Sequence, residues 1–255
     1  MVVGWLEQSL ADVPDEDTWL SADEKQRCDC FHIPKRRADW RLGRWTAKNA
    51  VAAYMNLPNG PGALAAIVIR PAASGAPEVS LRDQPASVGI SISHRANVGV
   101  CAVAPSGVML GCDLELVEPR TPAFLADYFT TEEQAMVAAS DLSERDRLAA
   151  LLWSAKESAL KALRVGLRID TRCIEVSLGE NSSTTPTDSL KSTARASSSN
   201  VPLQVEDWRP LVVTHLNGQS FQGWWMLAGE LIRTMVSVPA SSAPRMVSAL
   251  PRGSR

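Results

Sequence analysis

Gly111-Cys112-Asp113-Leu114-Glu115 places two carboxylates at alternate positions of an apolar run. In a strand, alternate side chains share a face, so Asp113 and Glu115 project together while Cys112 and Leu114 face the core. Two like charges on one face repel unless a cation sits between them. Mg²⁺ takes hard oxygen ligands and commonly uses one or two carboxylates plus substrate phosphates, so the pair suits a metal-phosphate site. The same D-x-E spacing also occurs on solvated edge strands, and the pair alone leaves both readings open. Further on, Trp153-Ser154-Ala155-Lys156-Glu157-Ser158-Ala159-Leu160-Lys161 sets Glu157 four residues before Lys161, the favourable order for a helical ion pair. That is either an exposed salt bridge worth roughly a few tenths of a kcal/mol, or a third carboxylate for the metal and a cation for the same phosphate.

Ile90-Ser91-Ile92-Ser93-His94 ends a strand-like run with a hydroxyl beside an imidazole. Adjacent Ser and His cannot face each other across a pocket as a hydrolase pair does, and no G-x-S-x-G elbow is present. The pair suits hydrogen bonds to a phosphate, or else His94 simply caps a turn. Gly43-Arg44-Trp45-Thr46-Ala47-Lys48 puts two cations four apart on a helix, where they repel modestly unless an anion or solvent lies beside them. Cys28-x-Cys30-x-His32 falls short of a structural zinc motif, having three close ligands and no second cluster.

These residues need elements to hold them. Ala38 to Met55 carries Trp40, Leu42, Trp45, Ala47, Val51, Ala52 and Met55 at three- and four-residue spacing, a helix with Arg37, Arg41, Arg44 and Lys48 on its other side. Val88, Ile90 and Ile92 alternate with small polar residues, Val98 to Ala104 is a second apolar run, and Val108 to Leu116 a third; the first two pair through the His94-to-Asn97 turn. A helix begins near Ser143 with a capping-box-like start. It carries a stripe of Leu148, Leu151, Leu152, Ala155, Ala159, Ala162 and Leu163, and Gly166 can supply its left-handed stop. Ile169 to Leu178, Leu211 to His215 and Gly223 to Leu231 suit strands. The pattern is α+β, with strand-helix material in two halves meeting near Pro105 to Val108.

In this order the elements resemble the 4′-phosphopantetheinyl transferase family, in its two-lobed Sfp-type form, from about Asp23 to Val176. The motifs are Gly43-Arg44, Ser93-His94, Gly111 to Glu115, Tyr128-Phe129-Thr130-Thr131-Glu132-Glu133, and Trp153 to Lys161, followed by Val165-Gly166-Leu167. The resemblance implies a pseudo-dimer of two similar α/β halves (1–106 and 107–238) with one active site between them. It implies a Mg²⁺-dependent enzyme that moves the phosphopantetheine arm of coenzyme A onto a serine of an acyl or peptidyl carrier protein. Asp113, Glu115 and Glu157 would be the metal ligands. Glu157 would be the base, with Asp113 and Lys161 completing the catalytic group and Lys161 attending the leaving phosphate. Arg27, Arg44, Lys48, Ser93, His94 and Lys156 would join Lys161 in holding coenzyme A. Two other readings are a metal-dependent phosphohydrolase of coenzyme A-like pyrophosphates and a degenerate module that binds coenzyme A or a carrier protein without transfer.

The pattern is broken at Gly75-Ala76-Pro77, where the family has a basic residue in place of Ala76, and Arg95 could offset that loss. Cys112 replaces a usual Ile or Val and should pack as a small hydrophobe.

With 255 residues, 45% hydrophobic and 21% charged, the chain is not disordered throughout and is long enough for a sizeable core. A net charge of −2 excludes a protein that coats nucleic acid non-specifically. The five cysteines lack paired C-x-x-C spacing, and a disulfide framework is not expected. Neither a Walker A sequence nor G-x-G-x-x-G is present, against a nucleoside triphosphatase or a dehydrogenase. The start lacks a basic region and an apolar core, and no uncharged apolar run reaches about 18 residues, so a cytoplasmic protein that engages no membrane is expected. A monomer is expected as well. From Ser177 to Asn200, 12 of 24 residues are Ser or Thr, and this insertion and the tail 239–255 should be loose.

Overall fold

A computed structural model of the chain describes residues 1–178 and 207–248. The first strand, β1 (Gly4–Ser9), leads to a short helix, α1 (Ala22–Asp29), started by a reciprocal capping box between Ser21 and Glu24. Pro34 at the first turn then launches α2 (Pro34–Tyr54) four residues earlier than its apolar period indicated. After α3 (Pro61–Ala65) come a small antiparallel sheet, β2 (Ile67–Pro71), β3 (Pro77–Leu81) and β4 (Gln84–Pro85), and then β5 (Val88–Arg95) and β6 (Val98–Pro105).

The second part opens with β7 (Met109–Leu116), followed by α4 (Pro122–Tyr128), α5 (Thr131–Ala139) and α6 (Leu142–Ala162). Its sheet is completed by β8 (Ile174–Leu178), β9 (Arg209–His215), β10 (Ser220–Ala228) and β11 (Leu231–Val238), and a last short strand is β12 (Arg245–Met246). The fold is α+β. One sheet runs β12-β1-β6-β5 with α2 packed on it, and the other runs β7-β11-β10-β9-β8 with α6 packed on it.

The edge strands β5 and β7 lie side by side. No main-chain ladder joins them; the Ser91 hydroxyl accepts the Cys112 N–H at 2.9 Å, and the Cys112 thiol donates to the Ser91 carbonyl at 3.1 Å. Cys112 is buried, as a small hydrophobe would be. Gly111 lets α6 settle onto β7: a Cβ there would stand 1.8 Å from the Ser158 carbonyl oxygen. Ser154 and Ser158 both meet the Thr234 hydroxyl, at 2.8 and 2.7 Å, fastening the same helix to β11.

One arrangement occurs twice. In α1, Glu24 accepts the Ser21 N–H and the Lys48 ammonium on one carboxylate oxygen, and the Ile69 N–H of β2 on the other. In α5, Glu133 accepts the Thr130 N–H and the Lys156 ammonium on one oxygen, and the Val176 N–H of β8 on the other. Lys48 donates further to the carbonyls of Trp19 and Leu64, and Lys156 to those of Thr171 and Ile174. Each ammonium also sits over an aromatic ring, Trp19 or Phe129, at 5.9 and 6.0 Å.

Several sequence expectations change. The segment 169–173 is turn and 3₁₀ rather than strand, and the strand expected over Gly223–Leu231 is the end of β10 and a turn before β11. α6 ends two residues before Arg164, which takes the left-handed stop at φ +58° ahead of Gly166. The tail is not loose at its start: β12 pairs in parallel with β1, and Ser241 is buried. Backbone hydrogen bonds from Arg245 to the Val3 carbonyl and from Val247 to the Trp5 carbonyl hold it there. The Ser/Thr-rich insertion beyond Leu178 and the chain beyond residue 248 lie outside the described residues. Among the described residues no helix is long and apolar enough to cross a membrane.

Candidate active site

β7, β5 and α6 converge on Asp113. Its Oδ1 accepts the Ser93 hydroxyl from β5 at 2.8 Å and the Lys161 ammonium from α6 at 2.7 Å. Its Oδ2 is buried with no hydrogen-bond partner. Lys161 also donates to the Cys112 carbonyl at 3.1 Å and stands 3.9 Å from Glu157 Oε2. Burial alone would pull the Lys161 ammonium toward neutrality, but Asp113, the Cys112 thiol and Glu157 outweigh it and hold the ammonium above its usual range.

Glu115 points to the same side as Asp113, and both of its oxygens are engaged. Oε1 accepts the Trp153 indole N–H at 3.2 Å, and Oε2 accepts Arg120 at 2.9 Å. Burial, then the charge of Asp113, raises its carboxyl above the usual range, with Arg120 and Arg95 opposing. Glu157 is pushed up to about 7, first by burial and then by Asp113, with Lys161 opposing and Glu115 adding to the rise. The three acids share one field, with Lys161 between Asp113 and Glu157 and Arg120 and Arg95 beside Glu115. They do not form a ready-made cage: among the described residues no three His, Cys, Asp or Glu side chains stand in metal-holding geometry.

Beside these acids runs a cleft of about 420 Å³ between the parts of the chain. Its floor is apolar, with Ile90, Ile92, Val108 and Leu110, and its rim carries Arg44, His94, Lys161, Arg164 and the loop Ser74 to Pro77. Arg44 lies over the Trp40 ring at 5.1 Å with its Nε buried and unbonded, 3.8 Å from Glu24, and burial lowers its proton affinity. His94 faces this cleft and a neighbouring hollow lined by Arg27, Lys35 and Arg36, and burial holds its imidazole below its usual range. Arg27 therefore stands near the cleft but not in it.

Two residues expected at the ligand are elsewhere. Lys48 and Lys156 are both 0% exposed and locked into the buried pairs with Glu24 and Glu133, so neither can reach a phosphate. Ser93 spends its hydroxyl on Asp113 and positions that carboxylate instead of a ligand. Arg95 does not replace the missing cation at Ala76: it pairs with Glu118 and approaches Glu115. Cys28 is buried and Cys30 exposed, with no metal cluster among the described residues. Sequence reasoning missed Arg120, Trp153 as a donor to Glu115, and Arg164. Trp153 and Arg164 flank motif residues, but Arg120 carries no spacing signal at all.

Residues 109–213, which hold all three acids and Lys161, match the family model described as 4′-phosphopantetheinyl transferase superfamily. No protein of curated function matches the chain. Among solved structures, the chain is similar to holo-[acyl-carrier-protein] synthase (AcpS) of Helicobacter pylori in complex with coenzyme A, at 19% identity, a TM-score of 0.29, and coverage of 41% of this chain and 100% of that one.

Proposed function

We propose that the protein transfers the 4′-phosphopantetheine group of coenzyme A to a serine of an acyl or peptidyl carrier protein. The observation that carries this reading is Asp113: a buried carboxylate with one oxygen on Lys161 and Ser93 and the other unpartnered, beside two further acids and an open cleft with cations on its rim. The reaction joins the serine Oγ to the phosphorus that bears the pantetheine arm. The bond from that phosphorus to the bridging pyrophosphate oxygen breaks, adenosine 3′,5′-bisphosphate leaves, and the serine proton goes to a base.

Charge builds on the phosphate oxygens and the leaving group, so the step needs cations and a positioned carboxylate rather than a protein nucleophile. Lys161, fixed by Asp113 Oδ1 and the Cys112 carbonyl, directs an ammonium at the leaving phosphate. Glu157, partly exposed, with its carboxyl free of hydrogen bonds and 3.9 Å from the Lys161 ammonium, would take the serine proton. Arg44 and His94 hold the nucleotide end, and the apolar floor takes its base.

The unpartnered buried Asp113 oxygen suits a hard divalent cation; Asp113 and Glu157 would hold Mg²⁺, and Glu115 would join them on releasing its bond to Arg120 or Trp153. Bound there, the ion would supply positive charge to the pyrophosphate. Such a chain is two similar α/β halves, a reading supported by the twice-repeated Glu–Lys arrangement.

The protein is incubated with apo carrier protein, coenzyme A and Mg²⁺, and the carrier is weighed by mass spectrometry. A phosphopantetheine mass gain on its serine is expected. Coenzyme A breakdown without that gain would replace the reading with a hydrolase, and binding with neither would replace it with a non-catalytic module.

A further inference from the structure

The last turn of α6 is closed by a reciprocal pair of main-chain bonds. The Val165 N–H donates to the Leu160 carbonyl at 3.1 Å, and the Arg164 N–H to the Lys161 carbonyl at 3.0 Å. This is a Schellman turn, whose left-handed position is usually glycine because a Cβ there crowds the following carbonyl. Here that position, at φ +58°, holds arginine.

Arg168 clamps the turn. Its Nε donates to the Val165 carbonyl at 2.8 Å, and its Nη2 to the carbonyls of Arg164 at 3.0 Å and Ser74 at 3.1 Å. The helix end is thereby tied to the loop that brings Ala76 to the cleft. Arg164's own guanidinium makes no hydrogen bond or ion pair among the described residues, and it lies on the cleft rim. The backbone of this position favours a glycine, and no structural contact of the side chain explains the arginine.

We infer that Arg164 binds a phosphate of coenzyme A, supplying from the end of α6 the cation that the Gly75-Ala76-Pro77 loop lacks. This rests on the coenzyme A reading above. Lys161, from the last turn of α6, and Arg164, from the turn that closes it, line the same cleft. Lys161 is engaged by Asp113, while Arg164 is unengaged and exposed, with five donors suited to phosphate oxygens. A phosphate held at Lys161 thus has its neighbouring phosphate within reach of Arg164.

Arg164→Gly and Arg164→Lys separate the contact from the turn. Coenzyme A is titrated calorimetrically into each full-length protein, KM and kcat are measured with the carrier protein, and melting is followed. Arg164→Gly is expected to melt about 2–4 °C higher, from relief of the left-handed strain. It is expected to bind coenzyme A about tenfold more weakly, with the loss in KM and kcat nearly unchanged. Arg164→Lys keeps most of the affinity. If wild type binds coenzyme A and Arg164→Gly binds it equally well, the inference is overturned; lower melting of Arg164→Gly also overturns it, since the side chain would then be structural. If wild type does not bind coenzyme A, the underlying functional reading falls with it.

Discussion

At the scale of single residues, the site depends on one carboxylate serving two neighbours. Asp113 Oδ1 fixes Ser93 and Lys161, while Oδ2 stays unbonded in a buried place, which is costly unless something fills it. Asp113→Asn keeps the shape but removes the charge that holds Lys161. Transfer, followed by mass of the carrier, should fall by on the order of a thousandfold, with melting shifted far less; full activity would remove Asp113 from the site. Glu157 supplies the pH signature. Its carboxyl titrates near 7 in the fold against an ordinary 4.5, so the folded state holds this proton more tightly than the unfolded chain. Stability from this group is fully present below the ordinary value and is lost as pH rises through 7. In metal-free protein at pH 8 the charged form should cost on the order of 2 kcal/mol after allowance for partial exposure. Glu157→Gln should therefore melt higher than wild type at pH 8 and no higher at pH 4.5, and added Mg²⁺ should raise wild-type melting at pH 8 but not that of the variant. Equal melting curves at both pH values would show that the carboxyl titrates normally.

At the scale of elements, the long helices α2 and α6 each bury a lysine that the sequence presents as surface. Lys48→Met would leave Glu24 buried without its cation, at a cost of about 3–5 kcal/mol, and Lys156→Met would do the same to Glu133. Urea unfolding should show both losses. A Lys48→Met protein of native stability but poor coenzyme A affinity would return the residue to the ligand. This is where the sequence was hardest to read. Spacing shows that Arg44 and Lys48 share a flank of α2, but not that Glu24, from a separate capping box, covers the second of them. β5, β6 and β7 were legible because one face is apolar throughout, and α6 because its stripe is long. That Asp113 and Glu115 share one face of β7 was legible because alternation on a strand is local. β11 was not singled out, although six of its eight residues are buried, because Arg233, Thr234 and Ser237 break up its apolar residues and hide the strand pattern. β12 was missed because two paired residues in a Ser- and Pro-rich tail carry no period.

At the scale of the whole molecule, the candidate site exists only while two sheets stay in register, since Ser93 and His94 come from one and Asp113, Glu115, Glu157 and Lys161 from the other or its helix. Two of the contacts that join the sheets do so in different ways. Arg233 of β11 donates to both oxygens of Glu7 in β1, at 2.6 and 2.7 Å, in a nearly buried pair that does not line the cleft. Ser91 and Cys112 join the edges one residue from Asp113. Arg233→Met alone strands Glu7 and should cost about 3–5 kcal/mol, whereas Glu7→Leu with Arg233→Met replaces charge by apolar volume and should recover most of that loss. The double variant should keep transfer, because β5 and β7 still hold each other. Ser91→Ala should behave in the opposite sense. It leaves a buried Cys112 N–H without its acceptor, a cost of only about 1–3 kcal/mol, yet it loosens β7 beside Asp113. Its kcat should fall well below that of the Glu7/Arg233 double variant when both are assayed under conditions where each is fully folded by circular dichroism. If the distant pair proves the more damaging to kcat, the edge contact is not what registers the site.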